Sequence, residues 1–201
     1  FFLIYNHQSR ADYIWLTQAA YPRKLNFMIG YNEFFRAKFK TAFNIINSIP
    51  KKNFTNDITA IRGIKQIIDS NGCVTFSPEG MSSIVGHNQP IVTGSGRFFK
   101  FYNIPIYILK IKGGYLTNHK VCLDDRLGRV DVELSLLLTP EQMATMNNDE
   151  VGALVDKALW HSPPLKSNIS FNSKIAASEN FNSSSTISCV IILCTSCPQP
   201  G

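Results

Sequence analysis

Two short polar stretches of this sequence hold residue types that could do chemistry. The first is Asn6-His7-Gln8-Ser9-Arg10-Ala11-Asp12. It follows the apolar run 1–5, which reads as a buried strand, and leads into 11–20, which reads as a helix. A strand-to-helix turn can fold Asp12 back onto the His7 ring. A carboxylate on one ring nitrogen fixes the tautomer and leaves the other nitrogen able to take a proton from an alcohol. Such a pair needs no nucleophile of its own, because the hydroxyl belongs to the substrate. The same spacing also suits a histidine capping the following helix, with Asp12 as a first-turn acid.

The second stretch is Phe76-Ser77-Pro78-Glu79-Gly80-Met81-Ser82-Ser83, again after a strand-like run. Backbone N–H groups and serine hydroxyls at a strand-to-helix turn can cradle a phosphate. An ordinary turn with a capping serine has the same composition.

The elements around these stretches must position them. Strand-like runs fall at 25–29, 73–76, 104–111 and 130–138. Helical patterns fall at 57–69, 93–102 and 148–160, and Thr139-Pro140-Glu141 reads as a further helix start. In 57–69, Ile58, Ile61, Ile64, Ile67 and Ile68 form one stripe, and Asn71-Gly72 is the stop signal. Short, nearly all-apolar strands alternating with helices predict an α/β fold: a mostly parallel sheet flanked by helices on both faces. The packed domain is expected over 1–160. Residues 161–201, rich in Ser and Asn and ending in a CxxC, are expected to form a disordered C-terminal tail.

Hydrophobic residues make up 44% and charged residues 17% of the 201, which fits a globular chain and excludes disorder throughout. The net charge of +6 suits an anionic partner such as a lipid surface or a phosphorylated substrate. Cys73 and Cys122 read as buried thiols. Cys194-Thr195-Ser196-Cys197, preceded by Cys189, is half of a zinc-ribbon spacing without a second ligand pair, so no metal is expected. The missing pair and the lack of a Lys/Arg-rich face also argue against a nucleic-acid partner. Gly94-Ser95-Gly96-Arg97 lacks the full spacing of a nucleotide-binding loop and reads as a helix start. The segment 34–43 sets Phe34, Phe35, Phe39 and Phe43 among Arg36, Lys38 and Lys40. It reads either as a core helix or as an interfacial helix with exposed rings at a bilayer. The chain opens on Phe1 in mid-strand, as a fragment would. No run approaches the about 18 apolar residues of a spanning helix, so an anchor would have to precede Phe1.

In order and spacing, the two polar stretches resemble blocks of the glycerolipid acyltransferase family, which includes the 1-acyl-sn-glycerol-3-phosphate (lysophosphatidic acid) acyltransferases. Asn6 to Asp12 looks like its N-H-x-x-x-x-D block (the HxxxxD motif). Phe76 to Ser83 looks like its F-P-E-G-T-R-S block, with Ser77 between the Phe and the Pro. Asn103-Ile104-Pro105-Ile106-Tyr107-Ile108 is similar to its third, valine-proline-isoleucine-type block. Residues 30–52 resemble the stretch where the family places a basic residue for the substrate phosphate. The likeness covers about 1–160. Two positions depart from the pattern: Met81-Ser82-Ser83 lacks the arginine that follows Glu-Gly-Thr, and Lys51-Lys52 stand where an arginine is usual. A lysine is a point charge and not a bidentate fork.

The resemblance implies a glycerol-3-phosphate acyltransferase-like fold and a membrane-associated enzyme on the cytoplasmic face. It implies that His7 is the general base and Asp12 its orienting partner. Ser9, Arg10, Lys51, Lys52, Glu79, Gly80, Ser82 and Ser83 would bind substrate. The expected reaction moves a fatty acyl group from acyl-CoA or acyl-carrier protein to a lysophospholipid acceptor in phospholipid biosynthesis, with no bound cofactor. A non-catalytic lipid- or anion-binding protein on the same scaffold is the alternative.

Overall fold

The structure, a computed structural model, describes residues 1–9, 11–35, 40–52, 55, 57–117 and 129–160, and the backbone of 185–189. Its strands are β1 (Phe2–Tyr5), β2 (Asn26–Gly30), β3 (Ile49–Lys51), β4 (Val74–Phe76), β5 (Ile106–Lys112), β6 (Val130–Leu138) and β7 (Ser185–Cys189). The helices are α1 (Asp12–Ala20), α2 (Tyr31–Phe34), α3 (Lys40–Ile45), α4 (Ile58–Asp69), α5 (Ser95–Tyr102), α6 (Gly114–Thr117), α7 (Pro140–Thr145) and α8 (Asn148–Trp160).

The strands form one sheet in the order β3-β2-β4-β1-β5-β6-β7. The five from β3 to β5 are parallel, and β6 and β7 add antiparallel pairs at one edge. Alternation along β1 splits its residues between two cores. Phe2 and Ile4 pack with α4, α5, α7 and α8 on one face through Ile64, Phe99, Met143 and Val155. Leu3 and Tyr5 pack with Trp15, Leu16 and Ala19 of α1 on the other. The expected α/β architecture, with helices on both faces, is therefore present.

Local signals explain most boundaries. Asp57 caps α4, its Oδ1 accepting from Thr59 N–H at 3.1 Å and Ala60 N–H at 3.2 Å. Asn71 ends that region with a left-handed φ of 55°. Thr139 and Gln142 form a capping box at α7. Two features differ from the sequence-based expectation. β3 forms across Pro50, which is tolerated because β3 pairs only with β2 at the sheet edge. Of the α4 stripe, Ile64 and Ile67 are buried while Ile58 and Ile61 are exposed. Apart from these, β7 pairs with β6 from Leu134↔Ser185 to Val130↔Cys189.

The segment 34–43, which suited either core or interface, divides in the structure. Phe34 and Phe43 are both buried and stack at 6.1 Å, and Tyr13 of α1 meets Phe43 edge-on at 5.9 Å. These two rings are core: they stack on each other, and α2 lies against β2 and β3. Phe35 is exposed. Arg36, Lys38 and Phe39 lie outside the described residues.

Candidate active site

The site begins where β1 stops. Asn6 carries the β1–β5 ladder one step further with its side chain: Nδ2 donates to the Ile111 carbonyl at 2.9 Å, and Oδ1 accepts from Ile111 N–H at 2.7 Å. A buried amide thus stands in for backbone, and the main chain is free to turn away from the sheet at His7.

Asp12 closes that turn. Its carboxylate is 1% exposed and accepts from Gln8 N–H at 2.8 Å and from Ser9 N–H at 3.0 and 3.1 Å. Ser9 Oγ accepts from Ala11 N–H at 2.9 Å. The carboxylate that gathers these loop amides also meets His7 Nδ1 at 2.7 Å through Oδ2. An acceptor at Nδ1 holds the proton there and leaves Nε2 as the basic nitrogen. The imidazole is 28% exposed, and Nε2 has no protein partner among the described residues. Burial pushes the Asp12 carboxyl above the ordinary carboxylate range, and the bonds from His7, Ser9 and Gln8 act against that rise.

The loop after β4 holds His7 from the other side. Glu79 Oε1 accepts His7 N–H at 3.1 Å, Oε2 accepts Gln89 N–H at 2.7 Å, and Ser83 N–H donates to the His7 carbonyl at 2.8 Å. Both backbone groups of His7 are thus tied to a segment over 70 residues away. Burial raises the Glu79 carboxyl to about 7, against the pull of its two N–H donors. Gly80 takes φ 75°, a left-handed turn that a side chain would strain, and it is exposed beside His7's loop.

The two expected blocks therefore meet, and the roles within them divide. His7, Asp12 and Glu79 converge. Ser9 is fully buried with its hydroxyl in the loop frame, and Ser83 is buried with Oγ accepting Gly86 N–H at 2.8 Å. Their expected substrate contacts give way to positioning roles, because buried loop amides need those oxygens. Ser82 is buried as well. Arg10 lies outside the described residues.

Strand register locates the lysines. The pairs Ile4↔Phe76, Phe27↔Thr75 and Gly30↔Lys51 bring the carboxyl ends of β1, β4, β2 and β3 to one end of the sheet, where His7 and Lys52 follow β1 and β3. β3 lies three strands from β1, so at about 4.8 Å per strand the two are roughly 14 Å apart in the sheet. The Lys52 N–H is pinned to Asp57 Oδ2 at 2.9 Å, and its Nζ lies 5.6 Å from the Tyr31 ring centre.

Tyr5 was not singled out in the sequence. Its ring meets the His7 ring edge-on at 5.9 Å, and burial, followed by the charges of Asp12 and Glu79, raises its phenol pKa. Its distance of two residues from His7 on one side of a strand was the available signal. Two surface hollows of about 530 and 420 Å³ flank α5 and share Gly94 and Arg97; neither includes His7. No three His, Cys, Asp or Glu side chains gather among the described residues as a metal cage. Cys194 and Cys197 lie outside those residues.

The arrangement can accept a proton at His7 Nε2 from a hydroxyl brought to the carboxyl end of the sheet, where open α/β folds commonly bind ligands. Comparison with known proteins agrees with the fold. No curated protein matches the chain. The crystal structure of the 1-acyl-sn-glycerophosphate (LPA) acyltransferase PlsC from Thermotoga maritima is similar, with a TM-score of 0.57 and 18% identity over 79% of this chain. This chain spans 64% of that one, and at such identity the likeness is one of fold. The family described as Acyltransferase matches residues 1–112, a stretch that holds His7, Asp12 and Glu79. On that match over more than half of its length, the chain belongs to the Acyltransferase family.

Proposed function

We propose that the protein transfers a fatty acyl group from an acyl thioester, acyl-CoA or acyl-carrier protein, to the free hydroxyl of a lysophosphatidic-acid-like acceptor in phospholipid biosynthesis. The observation that carries this reading is the 2.7 Å bond between Nδ1 of the part-exposed His7 and the buried Asp12, with no protein partner on Nε2 among the described residues. Nε2 takes the proton of the acceptor hydroxyl as that oxygen attacks the thioester carbonyl carbon. The C–S bond then breaks, and the imidazolium returns the proton to the departing thiolate. An ester and a free thiol result. Asp12 faces the imidazolium as it forms.

The family match and the fold shared with an enzyme named for lysophosphatidic acid support the acceptor class. Lys51 and Lys52 offer positive charge at the same end of the sheet as His7. Both substrates partition into bilayers, so the reading includes a membrane-associated protein on the cytoplasmic face. No helix among the described residues is long and apolar enough to cross a membrane.

The test is an acyl-transfer assay with a panel of thioesters and lysophospholipids. Transfer is expected, and His7→Ala should lower kcat by about 10²- to 10⁴-fold with an unchanged melting temperature. Binding of lysophospholipid without turnover for any donor would favour the non-catalytic lipid-binding alternative. That alternative draws on Ser82 standing near where the family carries an arginine.

A further inference from the structure

The loop after β4 reverses the usual polarity of a surface loop. Its serines, Ser82 and Ser83, are buried, whereas Met81, Ile84, Val85 and, further on, Val92 are between 52% and 64% exposed. Single exposed aliphatic residues are ordinary, but four within one loop are an unusual concentration. The backbone that carries them is well held. Ser83 bonds to the His7 carbonyl and to Gly86, the Tyr115 hydroxyl donates to the Ile84 carbonyl at 2.9 Å, and Val92 N–H donates to the Pro78 carbonyl at 2.8 Å. A Cβ at Gly86 would come within 2.9 Å of the Tyr115 ring, so the loop lies flat on α6. Fixed backbone and outward aliphatic side chains mean that the exposure is built in.

A second group lies across His7 from this loop. Tyr31 and Phe35, at the carboxyl end of β2, are exposed, and each carries a lysine over its ring: Lys52 Nζ at 5.6 Å and Lys40 Nζ at 5.4 Å. The strand order sets β2 on one side of β1, while the Ser83–His7 and Ile84–Tyr115 bonds carry the loop tip toward the end of β5 on the other. His7 therefore lies between the loop that carries the exposed aliphatic residues and the sheet end that carries the rings and lysines.

We propose that this face docks on a phospholipid bilayer, with Met81, Ile84 and Val85 entering the acyl boundary while Lys40 and Lys52 meet anionic headgroups. Rings and aliphatic groups flanked by cations match the layering of an interface, apolar below and charged above. The net charge of +6 favours an anionic lipid surface and disfavours a second copy of the chain on the same patch. The inference rests on the acyl-transfer reading and locates its membrane contact in the loop bonded to His7, in place of the buried Phe34 and Phe43.

The test uses the full chain with phosphatidylcholine vesicles, with and without phosphatidylglycerol, in co-sedimentation. The wild type should bind the anionic vesicles better, and salt should weaken that preference. Ile84→Ser with Val85→Ser should reduce binding to both vesicle types by about tenfold. The same variant should lose transfer to long-chain substrates in vesicles yet keep the wild-type rate on short-chain, monomeric substrates. Lys40→Glu should reduce binding to anionic vesicles alone. Wild-type binding by the double variant, or no vesicle binding by the wild type, overturns the docking face. So does a wild-type dimer in sedimentation that the double variant dissociates. Vesicle binding by a wild type that turns over no substrate of any chain length would instead overturn the acyl-transfer reading and leave the docking face standing.

Discussion

Glu79 accepts the backbone N–H of His7 at 3.1 Å while its other oxygen accepts Gln89 N–H at 2.7 Å. One carboxylate therefore joins the loop after β1 to both ends of the loop after β4. The relationship has a pH signature. Burial raises the Glu79 carboxyl from 4.5 to about 7, so the folded chain holds that proton more tightly than the unfolded chain does. Its contribution to stability is fully present below the unfolded value and is lost as pH rises through about 7. The loss is on the order of 3 kcal/mol. Melting temperature measured across that window should fall in the wild type, and Glu79→Gln should flatten the fall. A variant with the wild-type slope would show that another group titrates there.

Asp12 should be less replaceable than a simple capping acid. Its two oxygens serve His7 Nδ1, Gln8 N–H and Ser9 N–H, and asparagine offers only one acceptor while its NH₂ faces donors. Asp12→Asn should cost about 1–3 kcal/mol of stability. It should also lower kcat by about 10²-fold or more by disturbing the His7 tautomer. Steady-state kinetics alongside denaturant titration separate the two effects. Full kcat in a destabilised protein would leave Asp12 a merely structural residue.

Lys51 and Lys52 sit at the end of β3, with Lys52 held by Asp57 toward Tyr31. Reversing both charges to Glu should raise KM for a phosphorylated acceptor about tenfold, by loss of charge-assisted contacts. The KM for the thioester should change far less. Equal rises for both substrates would remove the lysines from the acceptor site.

Gly96 tests the frame behind the site. A methyl group there would overlap the carbonyl oxygen of Asn148, where α5 and α8 cross. Alanine is favoured over glycine within a helix by up to about 1 kcal/mol, so propensity alone predicts a more stable Gly96→Ala. Overlap with backbone should outweigh it and give a net loss of about 1–3 kcal/mol. A raised melting temperature would mean that the helices separate easily.

What the sequence determined by itself were the features written in local spacing. Alternating short apolar strands and helical patterns specify parallel α/β layers, because each element shows by its own period which faces it buries. Five residues at a strand-to-helix turn allowed the His7–Asp12 pair but equally suited a helix cap, and it was the likeness of both polar stretches to one family's blocks that favoured the pair. Other features were decided by tertiary structure. The meeting of Glu79 and Ser83 with His7 depends on β4 pairing beside β1, a choice of neighbour that no local pattern encodes. The fates of the hydroxyls also follow from the assembled loops: Ser9 and Ser83 are taken up by neighbouring N–H groups once those groups lose water. The aromatic segment illustrates the same limit. Helical spacing of Phe34, Phe35 and Phe43 could suit core or interface, and it was tertiary packing, with Phe34 stacked on Phe43 and Tyr13 of α1 against Phe43, that buried two of the rings and left Phe35 outside. Spacing records which side chains share a face; which surface that face meets is fixed only when distant parts of the chain pack together.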